Sequence, residues 1–165
     1  MSGEPKLHDA KERIDYADLC YAKRLFAAAA GFSEQALAES PELADAPNSE
    51  TRYNAACSAA LAGCGQGEDR DSLDEAARQR WRRQALDWLR AELAQCANAF
   101  ATSQPDARPS LLSRLRDWQR DRDFAGVRDE ESLAKLSDAE QQSWRESWAE
   151  VQTLIEKAAI PTTDN

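Results

Sequence analysis

From Ser72 to Phe100 the apolar positions Leu73, Ala77, Trp81, Ala85, Leu89, Leu93, Cys96 and Phe100 recur at steps of three and four, with polar residues between them. That spacing places all eight on one face of an α-helix. Neither Gly nor Pro interrupts the run. Ser72 and Glu75 have the separation of a capping box, in which the hydroxyl and the carboxylate satisfy backbone N–H groups reciprocally. At 1.5 Å per residue such a helix spans roughly 40 Å, longer than most helices of small domains. One apolar stripe of that length needs other helices to cover it, so the stretch is predicted to be the spine of an all-α fold.

The flanking patterns supply those helices. Asp9 and Glu12 suggest a second capping box, opening a helix through Ile14, Tyr16, Ala17, Leu19, Cys20 and Lys23. The run Ala27–Ala30 and Gly31 lead into a second helix that ends near Ser40, before Pro41. Pro41 and Pro47 bracket a loop, with Asn48 or Ser49 as the next cap, and a third helix covers roughly Glu50 to Ala62 until Gly63, Gly65 and Gly67 stop it. After the long helix, Pro105 and Pro109 mark residues 101–110 as a linker. Ser110 to about Arg122 makes a short helix with Leu111, Leu112, Leu115 and Trp118 inward, and a turn tucks in Phe124 and Val127. Ser137 and Glu140 cap a last helix with Trp144, Trp148, Val151, Ile155 and Ala158 on one stripe. The expected organisation is therefore a loose tail over 1–8, helical repeats over 9–100, the linker, and C-terminal helices over 111–160 that pack back into one compact unit.

Composition narrows the function classes. The 165 residues are 42% hydrophobic and 31% charged, which suits a globular chain and not a disordered one. The net charge of −9 speaks against nucleic acid and against anionic membrane surfaces. It is uneven: residues 1–50 hold 5 basic and 10 acidic groups, 51–100 hold 7 and 7, and 101–165 hold 9 and 13, so the centre is neutral between two acidic ends. The charged start MSGEPKLHDAKERID reads as no export signal, and no apolar run reaches the roughly 20 residues of a membrane span. Cys20, Cys57, Cys64 and Cys96 fall on or beside apolar faces and read as reduced core residues of a cytoplasmic protein.

Two stretches resemble the tetratricopeptide repeat, a helix pair of 34 residues. In the first, Ala17 and Cys20 take small positions of one helix, while Ala29, Ala36, Leu37 and Pro41 fit its partner and the closing proline. Ser33 stands at the usual large aromatic, with Phe32 beside it, and Arg24 replaces the turn glycine. In the second, YNAACSAALAG (Tyr53–Gly63) resembles a first helix and Ala85 and Leu86 part of its partner, across a turn longer than the repeat allows. The run from YNAACSAALAGCGQGED through RWRRQALDWLRAEL and DWQRDRDFAGVRD to the terminal W-x-x-x-W helix is similar to the region that follows tetratricopeptide repeats in planctomycete-type serine/threonine protein kinases and related bacterial repeat proteins. The resemblance covers about Asp15 to Leu154. It implies degenerate antiparallel helix pairs with a C-terminal helical extension on the long central helix, and a scaffold role with no separate chemistry. No kinase signature is present.

Candidate chemistry is thin. His8 is the one histidine and has no base or metal partner at fixed spacing. The cysteines form no C-x-x-C pair, and no Gly-Lys-Ser/Thr follows Gly63, Gly65 and Gly67. Asp121, Asp123 and Gly126 match three positions of a calcium loop, but Ala125 and Ser132 stand where two further ligands belong. No catalytic residue, cofactor or metal is expected. The basic cluster Arg78, Arg80, Arg82, Arg83 and Arg90 reads as a solvated face paired with Asp74, Glu75 and Asp87, or as a receiver for an acidic segment of another chain. If the repeat resemblance holds, a protein or peptide partner meets a face that includes Asp18, Tyr21, Tyr53, Asn54 and Ala60, with Arg82 and Arg83 as further contacts. The alternative is a structural cap, or a domain that pairs with another copy of itself.

Overall fold

Every regular element among the described residues is helical: nine α-helices and three 3-10 turns, with no strand. The computed structural model describes residues 9–46, 48–102 and 104–161. The tail over 1–8, with His8, and the loop residue Pro47 lie outside them. The chain divides into two units, Met1–Trp88 and Leu89–Asn165, and the division falls inside the longest helix.

In the first unit, α1 (Ala10–Ala22) starts where Asp9 accepts the Glu12 backbone N–H at 2.8 Å. The chain then turns through Arg24, whose backbone takes the left-handed conformation at φ +60°. Helix α2 (Phe26–Glu39) follows, and Gly31 lies in its middle and not at its entrance. Tyr21 meets Phe26 with ring centres 5.4 Å apart, Tyr16 meets Phe32 at 5.9 Å, and Arg13 pairs with Glu39. Descending positions on α1 thus face ascending positions on α2, so the two form an antiparallel hairpin. Ala17, Ala29, Ala30 and Ala36 are buried within it.

No side chain near Leu25 caps α2. Asp69 does so from more than forty residues away: its carboxylate accepts the Ala28 N–H at 2.9 Å and the Ala27 N–H at 3.3 Å. The same loop is stitched to the α1–α2 turn where Glu68 N–H donates to the Arg24 carbonyl at 2.8 Å. Gly67, at φ +101°, lies so close that a Cβ there would stand 2.6 Å from that carbonyl oxygen.

After the single turn α3 (Glu42–Asp45) comes α4 (Thr51–Gly63), preceded by Ser49, whose hydroxyl accepts the Thr51 N–H at 3.3 Å and donates to the Leu43 carbonyl at 2.7 Å. Helix α4 is buried from Ala55 to Ala60 and again at Ala62 and Gly63. A helix apolar on all sides is a core helix, not a surface one.

Helix α5 (Glu75–Thr102) keeps the predicted stripe: Trp81, Ala85, Leu89, Leu93 and Cys96 are buried, and Leu73, Ala77 and Phe100 half-buried. Its cap differs. Asp74 accepts the Ala77 N–H at 2.8 Å, while the Ser72 hydroxyl turns back to the Asp69 carbonyl at 2.7 Å. The helix also continues past Phe100 to Thr102, and the rest of the expected linker holds a 3-10 turn, Pro105–Ala107, and the start of α6.

In the second unit, α6 (Arg108–Trp118), α7 (Ala125–Arg128), α8 (Glu130–Leu133) and α9 (Asp138–Ala159) accompany the last part of α5. Leu115, Trp118, Phe124, Val127, Leu133, Trp144 and Val151 are almost wholly buried. Phe124 meets Trp148 edge-on at 5.6 Å, Trp144 stacks near Trp148 at 6.4 Å, and the Trp148 indole donates to the Val127 carbonyl at 3.0 Å. Ser137 caps α9 by accepting the Glu140 N–H at 3.3 Å. Glu92 of α5, fully buried, receives Arg114 of α6 at 3.0 Å.

Candidate functional site

Helix α1 hides one side against α2 and leaves the other open. Lys11, Asp15, Asp18 and Ala22 are exposed and recur at helical spacing along the centre of the open side. Tyr21, 40% exposed, borders that ridge on one flank and Leu19, 49% exposed, on the other. They are the two large apolar side chains of the first unit that stand most in water among the described residues. Partial burial raises the Asp18 carboxyl above its ordinary value, and the neighbouring Asp15 adds to the rise. Neither carboxylate has an ion-pair partner among the described residues, so the ridge is a local acidic strip with apolar margins.

The other residues expected to meet a partner do not all share such exposure. Asn54 is exposed and Tyr53 half-buried, both in the first turn of α4. Ala60 is wholly buried, because α4 is a core helix, and cannot reach a partner. Arg82 is also inside, at 4% exposure: its guanidinium donates to the Gly63 carbonyl at 2.7 Å and pairs with Glu75 at 2.8 Å. It ties α4 to α5 and is no part of a docking face. Arg83 is exposed.

The basic cluster as a whole is not one solvated face. Arg80 leaves α5 to pair with Glu34 of α2 at 2.6 Å, Arg78 donates to the Arg70 carbonyl at 3.3 Å, and Arg90 donates to the Ser143 carbonyl at 3.2 Å. Helical spacing pairs these arginines with neighbours on their own helix, and Arg82 does keep Glu75 in that way. Yet three of the five donate to backbone carbonyls and a fourth crosses to another helix.

The second unit holds a groove of about 310 Å³ that no sequence motif singles out. Helix α5 lines it with Arg90, Leu93, Ala94 and Ala97, and α9 with Glu150, Thr153, Leu154 and Lys157. Leu93 and Leu154, at 6% and 7% exposure, make the floor. The alanines and Thr153 are exposed walls, and Arg90, Glu150 and Lys157 set charges on the rim. A periodic signal for it exists all the same: both helices carry the i, i+3, i+4, i+7 spacing of a contact stripe a second time, beside the core stripe.

Set against protein-family models, curated proteins and solved structures, the chain matches none. Function therefore rests on its own residues. Within either unit taken by itself, the described His, Cys, Asp and Glu bring no three ligand atoms within reach of one metal ion. Asp121, the first residue of the calcium-like spacing, turns its carboxylate to the Asp123 N–H at 3.0 Å. Among the described residues no disulfide joins Cys20, Cys57, Cys64 or Cys96, and Cys57 and Cys96 are buried. Burial pushes the Cys96 thiol up to about 11, Arg114 drawing it partly down again, so it is a poor nucleophile. No described helix is long and apolar enough to cross a membrane. Two surface features remain: an acidic, apolar-edged ridge on α1 and a helix-lined groove between α5 and α9.

Proposed function

We propose that the chain is a non-enzymatic interaction module, built on a degenerate tetratricopeptide-like plan, that holds a peptide segment of another protein along the outer side of α1. The observation that carries this is the exposure of Leu19 and Tyr21 on either flank of the Asp15–Asp18 ridge. Apolar margins around an acidic strip fit a peptide with one or two basic residues between apolar ones, since such a partner relieves the repulsion between the two carboxylates and covers both side chains. The antiparallel α1–α2 hairpin, its small buried alanines and the left-handed Arg24 at the position of the repeat's turn glycine support the plan. On the same proposal the chain is a tail or free-standing relative of the kinase-linked repeat proteins it resembles, and works by contact alone.

The test is selection of a random peptide library against the chain, with the enriched peptides titrated by fluorescence anisotropy. Basic-apolar peptides should be enriched. The double variant Leu19→Ala, Tyr21→Ala should weaken them at least about tenfold, since few anchors carry most interface energy. The circular dichroism melt should fall only by the few degrees that loss of the Tyr21–Phe26 ring contact, about 1 kcal/mol, accounts for. Peptides that bind the double variant equally well would refute the α1 site, and so would binding lost only in step with the fold.

A further inference from the structure

The groove of the second unit lies in a different unit from the α1 ridge and is independent of the reading above. Its α9 edge has an internal symmetry. Glu150 and Lys157 are seven residues apart, two turns or about 10 Å along one helix face, and Thr153 and Leu154 sit midway. If the edge met an antiparallel copy of itself about a two-fold axis between Thr153 and Leu154, Glu150 of each copy would stand level with Lys157 of the other. Two opposite-charge pairs would close at once. Neither side chain has an ion-pair partner among the described residues, so both charges are available for this. The α5 edge favours the same occupant: Ala94 and Ala97 are small and exposed, and let a second helix come close over the Leu93 and Leu154 floor.

We infer that this face is a self-association surface, on which a second copy of the chain lays its α9 antiparallel across the α5–α9 groove. A two-fold contact is self-complementary by construction, so one pair of opposite charges suitably spaced on a single helix serves both partners. An unrelated helix would need a matching charge pattern of its own. The net charge of −9 repels like copies at distance, so the rim pairs set the orientation and the buried floor supplies the attraction.

Sedimentation equilibrium on the full chain tests this across concentration up to the high micromolar range. The mass should rise toward twice that of one chain. Lys157→Glu sets carboxylates against each other and should raise the dissociation constant at least about tenfold; Glu150→Lys should do the same with ammonium groups. The double swap Glu150→Lys with Lys157→Glu should restore association, because it exchanges the partners without changing the pattern. Ala97→Arg should block it under either pattern. These positions are exposed, and circular dichroism of each variant checks that the helices remain. A mass that stays at one chain throughout overturns the inference. So does a dimer indifferent to Lys157→Glu and Ala97→Arg, or a double swap that fails to rescue a folded chain.

Discussion

Two glycines of the first unit lie at non-identical places in their helices, and the same substitution should act on them with opposite sign. At Gly63, the last residue of α4, an added Cβ would stand 2.5 Å from Arg82 Cγ, 2.8 Å from the Arg82 backbone nitrogen and 2.9 Å from the Arg78 carbonyl oxygen. The Arg82 side chain has nowhere to go, because its guanidinium is held by the Gly63 carbonyl at 2.7 Å and by Glu75 at 2.8 Å. The other two atoms are backbone of α5, so the helix itself would have to retreat. Overpacking of this kind costs about 1–3 kcal/mol, and weakening the charged hydrogen bond to Gly63 adds about 1 kcal/mol. Against that, replacing a glycine lowers the entropy of the unfolded chain and contributes about 0.5–1 kcal/mol. Gly63→Ala should therefore destabilise by about 1–3 kcal/mol. At Gly31, in the middle of α2, nothing lies within 4 Å of an added Cβ. Gly31→Ala should keep the gain alone, about 0.5–1 kcal/mol. Urea unfolding followed by far-UV circular dichroism measures both, and in a unit of this size each kcal/mol moves a thermal midpoint by roughly 4–8 °C. A neutral or stabilising Gly63→Ala would refute the close crossing of α4 and α5; equal signs at the two sites would refute the comparison.

In the second unit, Arg114→Met takes the cation from a fully buried carboxylate, Glu92, and should cost about 2–4 kcal/mol, somewhat below a wholly buried pair because Arg114 is itself 31% exposed. Glu92→Met with Arg114→Met should recover most of the loss in a urea double-mutant cycle, and additive losses would deny the coupling. The Cys96 thiol gives a pH test. Burial holds its folded pKa up at about 11 against an ordinary 9.0, so the stabilisation is complete below pH 9 and is lost as pH rises toward 11. The stability of the parent chain relative to Cys96→Ala should fall by about 2 kcal/mol across that window; a constant difference would show that Cys96 does not titrate this way.

The parts of this fold that are legible in the sequence are those whose cause is local. The α5 stripe follows from the 3.6-residue period, and the caps at Asp9 and Ser137 from a side chain three residues before the N–H it accepts. The parts that are not legible have a distant cause. Asp69 caps α2 from 41 residues beyond Ala28, and no pattern near Leu25 announces it. Arg82 looks like one more surface arginine until the Gly63 carbonyl, 19 residues back, draws it inside. That distant carbonyl takes Arg82 out of the expected docking face, and the burial of α4 takes out Ala60. Asp18, Tyr21 and Asn54 keep their exposure, Tyr21 with its ring resting on Phe26.

The division at Trp88 leaves no mark in composition, since one uninterrupted helix passes through it with the same stripe on both sides. The groove is an intermediate case. On α5 the core stripe runs through Leu89, Leu93 and Cys96, and the groove residues Arg90, Ala94 and Ala97 follow it one position later. On α9 the core stripe runs through Val151, Ile155 and Ala158, and Glu150, Leu154 and Lys157 precede it by one. A step of one residue turns the face by about 100°, so each helix offers a second, narrower contact face beside its core face, displaced in opposite senses on the two helices. Arg90, at the start of the groove on α5, reaches the Ser143 carbonyl near the start of α9, so the two helices run the same way, and for such a pair opposite displacements open the spare faces to the same side. The doubled stripe, with alanines on one helix and a spaced Glu–Lys pair on the other, is thus written in the periodicity of the two helices, and only their pairing in space turns it into a groove.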